Sequence, residues 1–246
     1  MKTVTPLEHI HPKTSQGIVT SAPLSAADKS TISDIVNSIY ADIVGGVFKP
    51  GQKLRSDDLR QRYTSSVSTL REALSHLAAV GVVRAEAGRG FRVAPVSVED
   101  LRDITALRLD METKALADAM MHGDHAWEAN IVATHHMMSL ARVSDDTAVW
   151  TERFTRHARF HEALTAACRS PWLKYFRAVL FDQSERYRAL YVLNMDSVPN
   201  RSGEHQQLME RVLARDIPGA LAKLEQHIVT TSSLTEQMLA RYQSAV

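Results

Sequence analysis

The sequence of 246 residues predicts a mainly α protein in two parts, a helical N-terminal module closed by a small β-hairpin and a C-terminal all-helical bundle. Three observations predict it. Between residues 31 and 95 the local patterns run helix, helix, turn, helix, hairpin. From residue 97 onward, apolar residues recur at helical spacing over long stretches, with no convincing strand between them. The composition, 44% hydrophobic and 23% charged, is that of a folded globular chain.

Residues 1–28 are rich in Ser, Thr, Pro and His without periodicity and are expected to form a flexible tail, in which His9 and His11 could take up adventitious metal. In "TISDIVNSIYADIVGG", residues 31 to 46, Ile32, Ile35, Val36, Ile39 and Ile43 share one helical face, and "GGVFKPG" stops the helix with glycines and a proline. "SDDLRQRY" reads as a short helix with Ser56 as N-cap and acidic residues in its first turn, where the helix dipole favours them. After "TSS" the segment 67 to 80 carries Leu70, Leu74 and Leu77 on one side, and Gly81 closes it. "VVRAEAGRGFRVAP" then reads as two β-branched runs around a tip with Gly88 and Gly90. Pro95 and "VSVED" mark a boundary, with Ser97 able to cap the next helix. This divides the chain into 1–28, 29–95 and 96–246. Helices are expected at 97–121, 125–142, 146–168, 171–193, 203–215 and 217–243.

Charge and cysteine usage narrow the function classes. The net charge is +1, yet residues 30–95 hold nine Lys and Arg against six Asp and Glu, while residues 96–246 hold 17 against 20. A basic front and an acidic rear suit a nucleic-acid-binding module attached to something that does not touch nucleic acid. One cysteine, Cys168, excludes an internal disulfide framework and any CxxC motif, and is expected in the core. No run approaches the ~18 to 20 apolar residues of a membrane span, and the N-terminus has no signal-peptide core, so a cytoplasmic protein without a membrane partner is expected.

A helix-turn-helix followed by a hairpin is a winged-helix arrangement, whose second helix enters the major groove of operator DNA while the wing lies against the backbone or minor groove. Arg71 lies on the face away from Leu70, Leu74 and Leu77, near Ser66, Ser68 and Thr69. A guanidinium can pair with guanine O6 and N7, and short hydroxyls can reach phosphates or bases. Arg89, between two glycines, puts a cation on a loop that a phosphate can approach closely. The alternative is a small helical domain with ordinary surface arginines.

"FKPGQKL", "LREAL" and "GRGFRV", in this order, resemble the winged-helix domain of the GntR family of bacterial transcriptional regulators. The resemblance implies operator contacts from Arg71 and from the wing residues Arg89 and Gly90. Val67 and Asp57 stand where the family commonly has arginines, which implies either a different operator or compensation by Lys53 and Arg55.

In the rear part, Phe154, His157, His161, Leu164 and Cys168 advance by helical steps, so both histidines face inward. His205 shares a face with Leu208, Met209 and Val212, and His227 adjoins Leu221, Leu224 and Ile228. Four inward imidazoles from three helices point to a divalent metal if they converge, and to satisfied core histidines if they do not. Imidazole-rich sites suit zinc first, then nickel, iron or copper. "HARFHE" superficially resembles the HExxH zinc hydrolases, but Ala158 stands where the general-base glutamate is needed, and no nucleophile elbow, P-loop or dinucleotide fingerprint is present. A metal-dependent enzyme acting on a small carboxylate remains the alternative to a non-enzymatic sensor. His135 and His136 are adjacent, cannot both face inward, and read as structural or surface residues.

"LRDITALRLDMETKALADAM", "RHARFHEALTAACRSPWL" and "EHQQLMERVLARDIPGALAKLEQHI" resemble the all-helical FCD effector domain of the FadR-type branch of the same family. The resemblance implies a divalent metal at His157, His161, His205 and His227, with His157 replacing the usual carboxylate and Ser170 the usual asparagine. Neutral imidazoles leave the ion's charge uncompensated, which invites an anionic ligand. Arg108, on the apolar stripe of its helix, is implied as an effector contact, with an internal pair to Glu112 as the alternative. The stripe Trp172, Phe176, Val179, Gln183, Arg186 and Leu190 suggests that Gln183 and Arg186 line the cavity. "LREALSHL" and "DQSERYR" resemble the carbon-starvation-induced group, which implies a five-carbon dicarboxylate or a 2-hydroxy acid as effector. The expectation is a homodimeric transcriptional repressor controlled by a small carboxylate.

Overall fold

The computed structural model describes residues 32–140, 147–193 and 202–244; the tail with His9 and His11 lies outside the described residues. The N-terminal module comprises α1 (Ile32–Val44), β1 (Lys53–Leu54), α2 (Ser56–Tyr63), α3 (Val67–Ala79), β2 (Val83–Glu86) and β3 (Gly90–Val93). Ile35, Ile39, Leu59, Leu70 and Leu77 form its centre, each 2% exposed or less. Helical patterning placed all of these side chains but Leu59, which the short α2 segment gave no stripe to identify.

Two details differ from the sequence expectation. A third strand, β1, joins the hairpin through β3, pairing Lys53 with Arg92 and Leu54 with Phe91. Two residues give no periodicity to read; the strand exists because the hairpin edge lies beside it. Its extended backbone continues through Arg55 (φ −79°, ψ 131°), so Arg55 and not Ser56 is the N-cap of α2, without a side-chain cap bond. At α3 the cap is the expected kind, with Ser66 Oγ accepting from the Thr69 N–H at 3.2 Å. The wing is braced by Arg92, which donates to Glu86 Oε1 at 2.8 Å and to the Gly51 carbonyl at 2.9 Å. Gly88 and Gly90 sit at its tip with φ of 70° and 92°, where a β-carbon would be strained.

Behind it follow α4 (Val98–His122), α5 (His125–Ser139), α6 (Thr147–Thr165), α7 (Pro171–Leu193), α8 (Ser202–Leu213) and α9 (Ile217–Ser244). Ser97 caps α4 by accepting from the Asp100 N–H at 3.1 Å, and Asp124 caps α5 from the Trp127 N–H at 2.8 Å. α4 packs along α7 and α9, and α5 along α6 and α8. Leu116, Phe160, Leu164, Leu208, Leu224 and buried Cys168 belong to the bundle core.

The two parts are not separate bodies joined by a loose linker. Phe154 of α6 and Ala189 of α7 belong to the same apolar cluster as Ile39 and Leu77. α7 thus touches both modules, and the site below depends on that placement.

Candidate functional site

The four histidines converge. His157 and His161 lie one turn apart on α6, His205 comes from α8 and His227 from α9, and one ring nitrogen from each falls within 4.8 Å of all the others. Ring centroids are 4.5 Å apart for His157 and His161 and 4.5 Å for His205 and His227. The i, i+4 spacing on α6 presents two imidazoles to one point, while the short α8–α9 connection brings the second pair across from them. Phe181 of α7 packs on His157 and His161 at 5.9 and 5.3 Å, and Phe160 meets His161 and His205 at edge-on angles. The cluster is walled by aromatic rings.

Its electrostatics fit a cation held by nitrogen. Burial, then the Arg188 guanidinium and the neighbouring imidazoles, holds His157 well below the usual histidine range; burial and the other three imidazoles do the same for His161. Both are neutral at pH 7 and offer lone pairs without releasing a proton. Neither ring nitrogen of His161, which is 1% exposed, has a hydrogen-bond partner. A buried polar group in that condition costs about 1 to 3 kcal/mol, and a divalent ion satisfies it. His227 Nδ1 lies 3.0 Å from Glu204 Oε2, and His157 Nδ1 lies 3.4 Å from Glu185 Oε2.

The other expected effector residues divide. Arg108 is buried, as the stripe predicted, but each of its three nitrogens already has a partner: Nε and Nη2 meet Glu112 Oε1 at 2.7 Å, and Nη1 donates to Ser184 Oγ at 2.6 Å. The internal pair with Glu112 therefore exists, within 5.1 Å of the Phe181 ring. Gln183 and Arg186 are carried elsewhere. Gln183 Nε2 donates to the Val80 carbonyl at the end of α3, and Arg186 Nη1 donates to the Ala94 and Pro95 carbonyls at 2.9 and 3.1 Å. At about 100° per residue, the stripe containing them lies roughly opposite the face of Arg177, Phe181, Ser184, Glu185 and Arg188. An apolar stripe was the wrong guide, because the face of α7 that meets a polar site is itself polar. Trp172 and Phe176, at the start of that stripe, are 54% and 49% exposed.

Sequence reasoning missed three residues here. Glu185 is buried and clamped by Arg188, with Nε to Oε1 at 2.7 Å and Nη2 to Oε2 at 2.5 Å. Glu204 borders His227. Arg177 is buried, 5.3 Å from the Phe181 centroid, and its Nη1 makes no hydrogen bond. Only their helical phase relative to Phe181 and His205 could have flagged them. Glu162, the glutamate of "HARFHE", is exposed and turned away from the cluster. His135 packs half-buried on Phe160 and His136 is exposed.

Asp182, next to the cavity face, carries a pH signature. Burial, with Glu185 and Glu162 nearby, pushes its carboxyl up to about 7 against the pull of Arg177. A raised acid holds in the folded state a proton that the unfolded chain releases above about pH 4, so its contribution to stability falls as pH rises from about 4 to 7. Asp182→Asn is therefore expected to gain stability relative to the parent protein at pH 8 compared with pH 5, measured by urea unfolding at both. An equal difference at the two pH values would show that the carboxyl is not strained.

On the front module, Lys53, Arg55, Ser66, Ser68, Arg71, Arg89 and Gly90 are all exposed on β1, α3 and the wing, and Thr69 is half-buried. Ser66 Oγ lies 2.8 Å from Ser68 Oγ and 2.7 Å from Thr69 Oγ1, so the start of α3 presents a small hydroxyl cluster. Among the described residues the Arg71 side chain makes no hydrogen bond or ion pair. No helix of the described residues is long and apolar enough to cross a membrane.

Known families match this chain in two stretches. The family model for bacterial regulatory proteins of the gntR family matches residues 31–93, and that for the FCD domain matches residues 103–230. The chain is 36% identical over 221 residues to the uncharacterized HTH-type transcriptional regulator BphR of Paraburkholderia xenovorans, covering 88% of this chain and 90% of that one. It is also 36% identical over 204 residues to the HTH-type transcriptional repressor GlaR of Escherichia coli, covering 81% and 93%. In fold it is similar to E. coli McbR/YncC, with a TM-score of 0.73 at 18% identity over 86% of this chain and 100% of that one.

Proposed function

Because the chain belongs to the gntR family of bacterial regulatory proteins and is a DNA-binding transcriptional regulator with an FCD domain, we propose that it is a homodimeric, metal-dependent sensor of a small carboxylate. It acts in the cytoplasm as a repressor that the carboxylate releases from its operator. The observation that carries this reading is the set of four imidazoles, three buried and His205 half-buried, with ring nitrogens within 4.8 Å of one another, behind a winged helix with its recognition face exposed. The family and the relatives are regulators and not enzymes.

His157, His161, His205 and His227 would hold the ion, and zinc, nickel, iron or copper fits such donors. When bound, it supplies a Lewis-acidic position to which a carboxylate oxygen can bind. The surrounding charges are paired, Arg108 with Glu112 and Arg188 with Glu185. The ion's charge is then in surplus, which favours an anion. Arg177, with its buried Nη1 lacking a hydrogen bond, and Arg108, if it shares its guanidinium with the ligand, would receive the second end of the effector.

Operator reading falls to Arg71, Ser66, Ser68 and Thr69 on α3, to Lys53 and Arg55 beside it, and to Arg89 and Gly90 on the wing. A dimer places two such modules on one palindrome. Coupling runs through α7. One of its faces meets the histidine cluster through Phe181 and Glu185, and another grips the front module through Gln183 and Arg186. A ligand that fits one placement of α7 better than another shifts the operator affinity, typically by ~1 to 3 kcal/mol.

Differential scanning fluorimetry tests the reading. Metal-loaded protein is expected to melt at a higher temperature with glutarate or 2-hydroxyglutarate, and protein stripped with a chelator is expected to show no such shift. Stabilisation of the stripped protein by the same amount would remove the metal from effector binding.

A further inference from the structure

We infer that Glu185 is the positioning residue of the metal centre: its carboxylate, beside Nδ1 of His157, sets the orientation and tautomer of that ring. This rests on the proposal that the four histidines hold a divalent ion. The geometry is specific. Glu185 Oε2 lies 3.4 Å from His157 Nδ1, the nitrogen of that ring that is buried and has no hydrogen bond, and Glu185 itself is 4% exposed. No hydrogen bond joins the two in this structure, but Oε2 is the carboxylate oxygen beside Nδ1, and a small turn of the ring would let Nδ1–H donate to it and leave Nε2 for the ion. His227 shows the completed form of this relation, with Nδ1 hydrogen-bonded to Glu204 Oε2 at 3.0 Å. One histidine from each pair thus has a carboxylate behind it.

Glu185 is also held in place. Arg188, three residues on, grips both of its oxygens, at 2.7 and 2.5 Å, and lies 4.4 Å from the centroid of Phe154. This two-point clamp holds the carboxylate in place beside His157. A carboxylate behind a ligating imidazole sets its tautomer and raises its basicity, and its loss typically weakens metal affinity 10- to 100-fold. Sequence position 157 lacks the carboxylate that the resemblance led one to expect as a direct ligand; Glu185 brings one in from α7, one layer out.

The test is competition titration of cobalt(II) and zinc(II) against a chromophoric chelator, on untagged full-length protein. Glu185→Gln keeps an oxygen that can accept from Nδ1 and removes only the charge. Its expected effect is a 10- to 100-fold loss of affinity, with a shifted cobalt(II) d–d spectrum. Glu185→Asp is expected to recover part of the affinity. Because Glu185→Gln leaves Arg188 buried without its partner, the double variant Glu185→Gln with Arg188→Met serves as the folding control and is expected to show the same loss. Parental protein that binds metal, together with variants within twofold of it and an unchanged spectrum, overturns the role of Glu185 and leaves the histidine site standing. Parental protein that binds neither ion overturns both.

Discussion

His161→Ala is expected to abolish stoichiometric metal binding without unfolding the protein. Untagged parental protein should carry close to one equivalent of divalent metal by plasma emission analysis, and the variant a small fraction of that. An ion bound there would stabilise the parental fold by about 2.7 kcal/mol at a free concentration 100-fold above its dissociation constant. For a chain of this size that is a rise of roughly 5 to 10 °C in melting temperature. The variant should show no such rise. Its metal-free form should melt close to the metal-free parental protein, because the lost imidazole had two buried nitrogens without partners, and removing such a group offsets the cavity it leaves. Acid acts on the same groups. His157 and His161 stay neutral in the fold well below the pH at which they protonate in the unfolded chain. Their contribution to metal-free stability is therefore present in full above about pH 6.5 and is lost as pH falls below it. Retention of a full equivalent of metal in His161→Ala would sink the site.

Arg71→Ala is expected to weaken operator binding by about 1 to 3 kcal/mol, which is roughly 5- to 150-fold. The residue lies exposed on α3, with Leu70 and Leu74 buried behind it, so the fold should be unaffected. Fluorescence anisotropy on a site selected from random DNA, at fixed salt, measures the loss. Binding to unrelated DNA should change much less, since non-specific affinity comes from phosphate contacts. Lys53→Ala, beside the wing, should do the opposite and weaken both classes of DNA alike while lowering the salt dependence. An Arg71 variant that binds its selected site as tightly as the parental protein would move base reading to another residue.

The sequence by itself determined the order of the helices and of the hairpin, and the inward side of most helices. Leu70, Leu74 and Leu77, or Phe154, Leu164 and Cys168, lie where helical spacing puts them, because burial of an apolar face is a local pattern with a 3.6-residue period. It also paired His157 with His161, since one turn of α6 separates them. The winged helix was legible from motif order, and the exposure of Ser68 and Arg71 from their place on the polar side of α3.

Only the tertiary structure decided that His205 and His227 meet that pair, because α8 and α9 are separated from α6 by a whole helix and by turns that local spacing does not encode. The same holds for β1, which exists through pairing with residues nearly forty positions away. α7 is the instructive case. Its apolar stripe was read as facing the cavity, but an amphipathic helix buried between a polar site and a second module has two inward faces. Hydrophobicity identifies one of them and is silent about the other, which carries Arg177, Ser184 and Glu185. Which side of a helix meets water is a property of its sequence; which side meets a charge is a property of its neighbours.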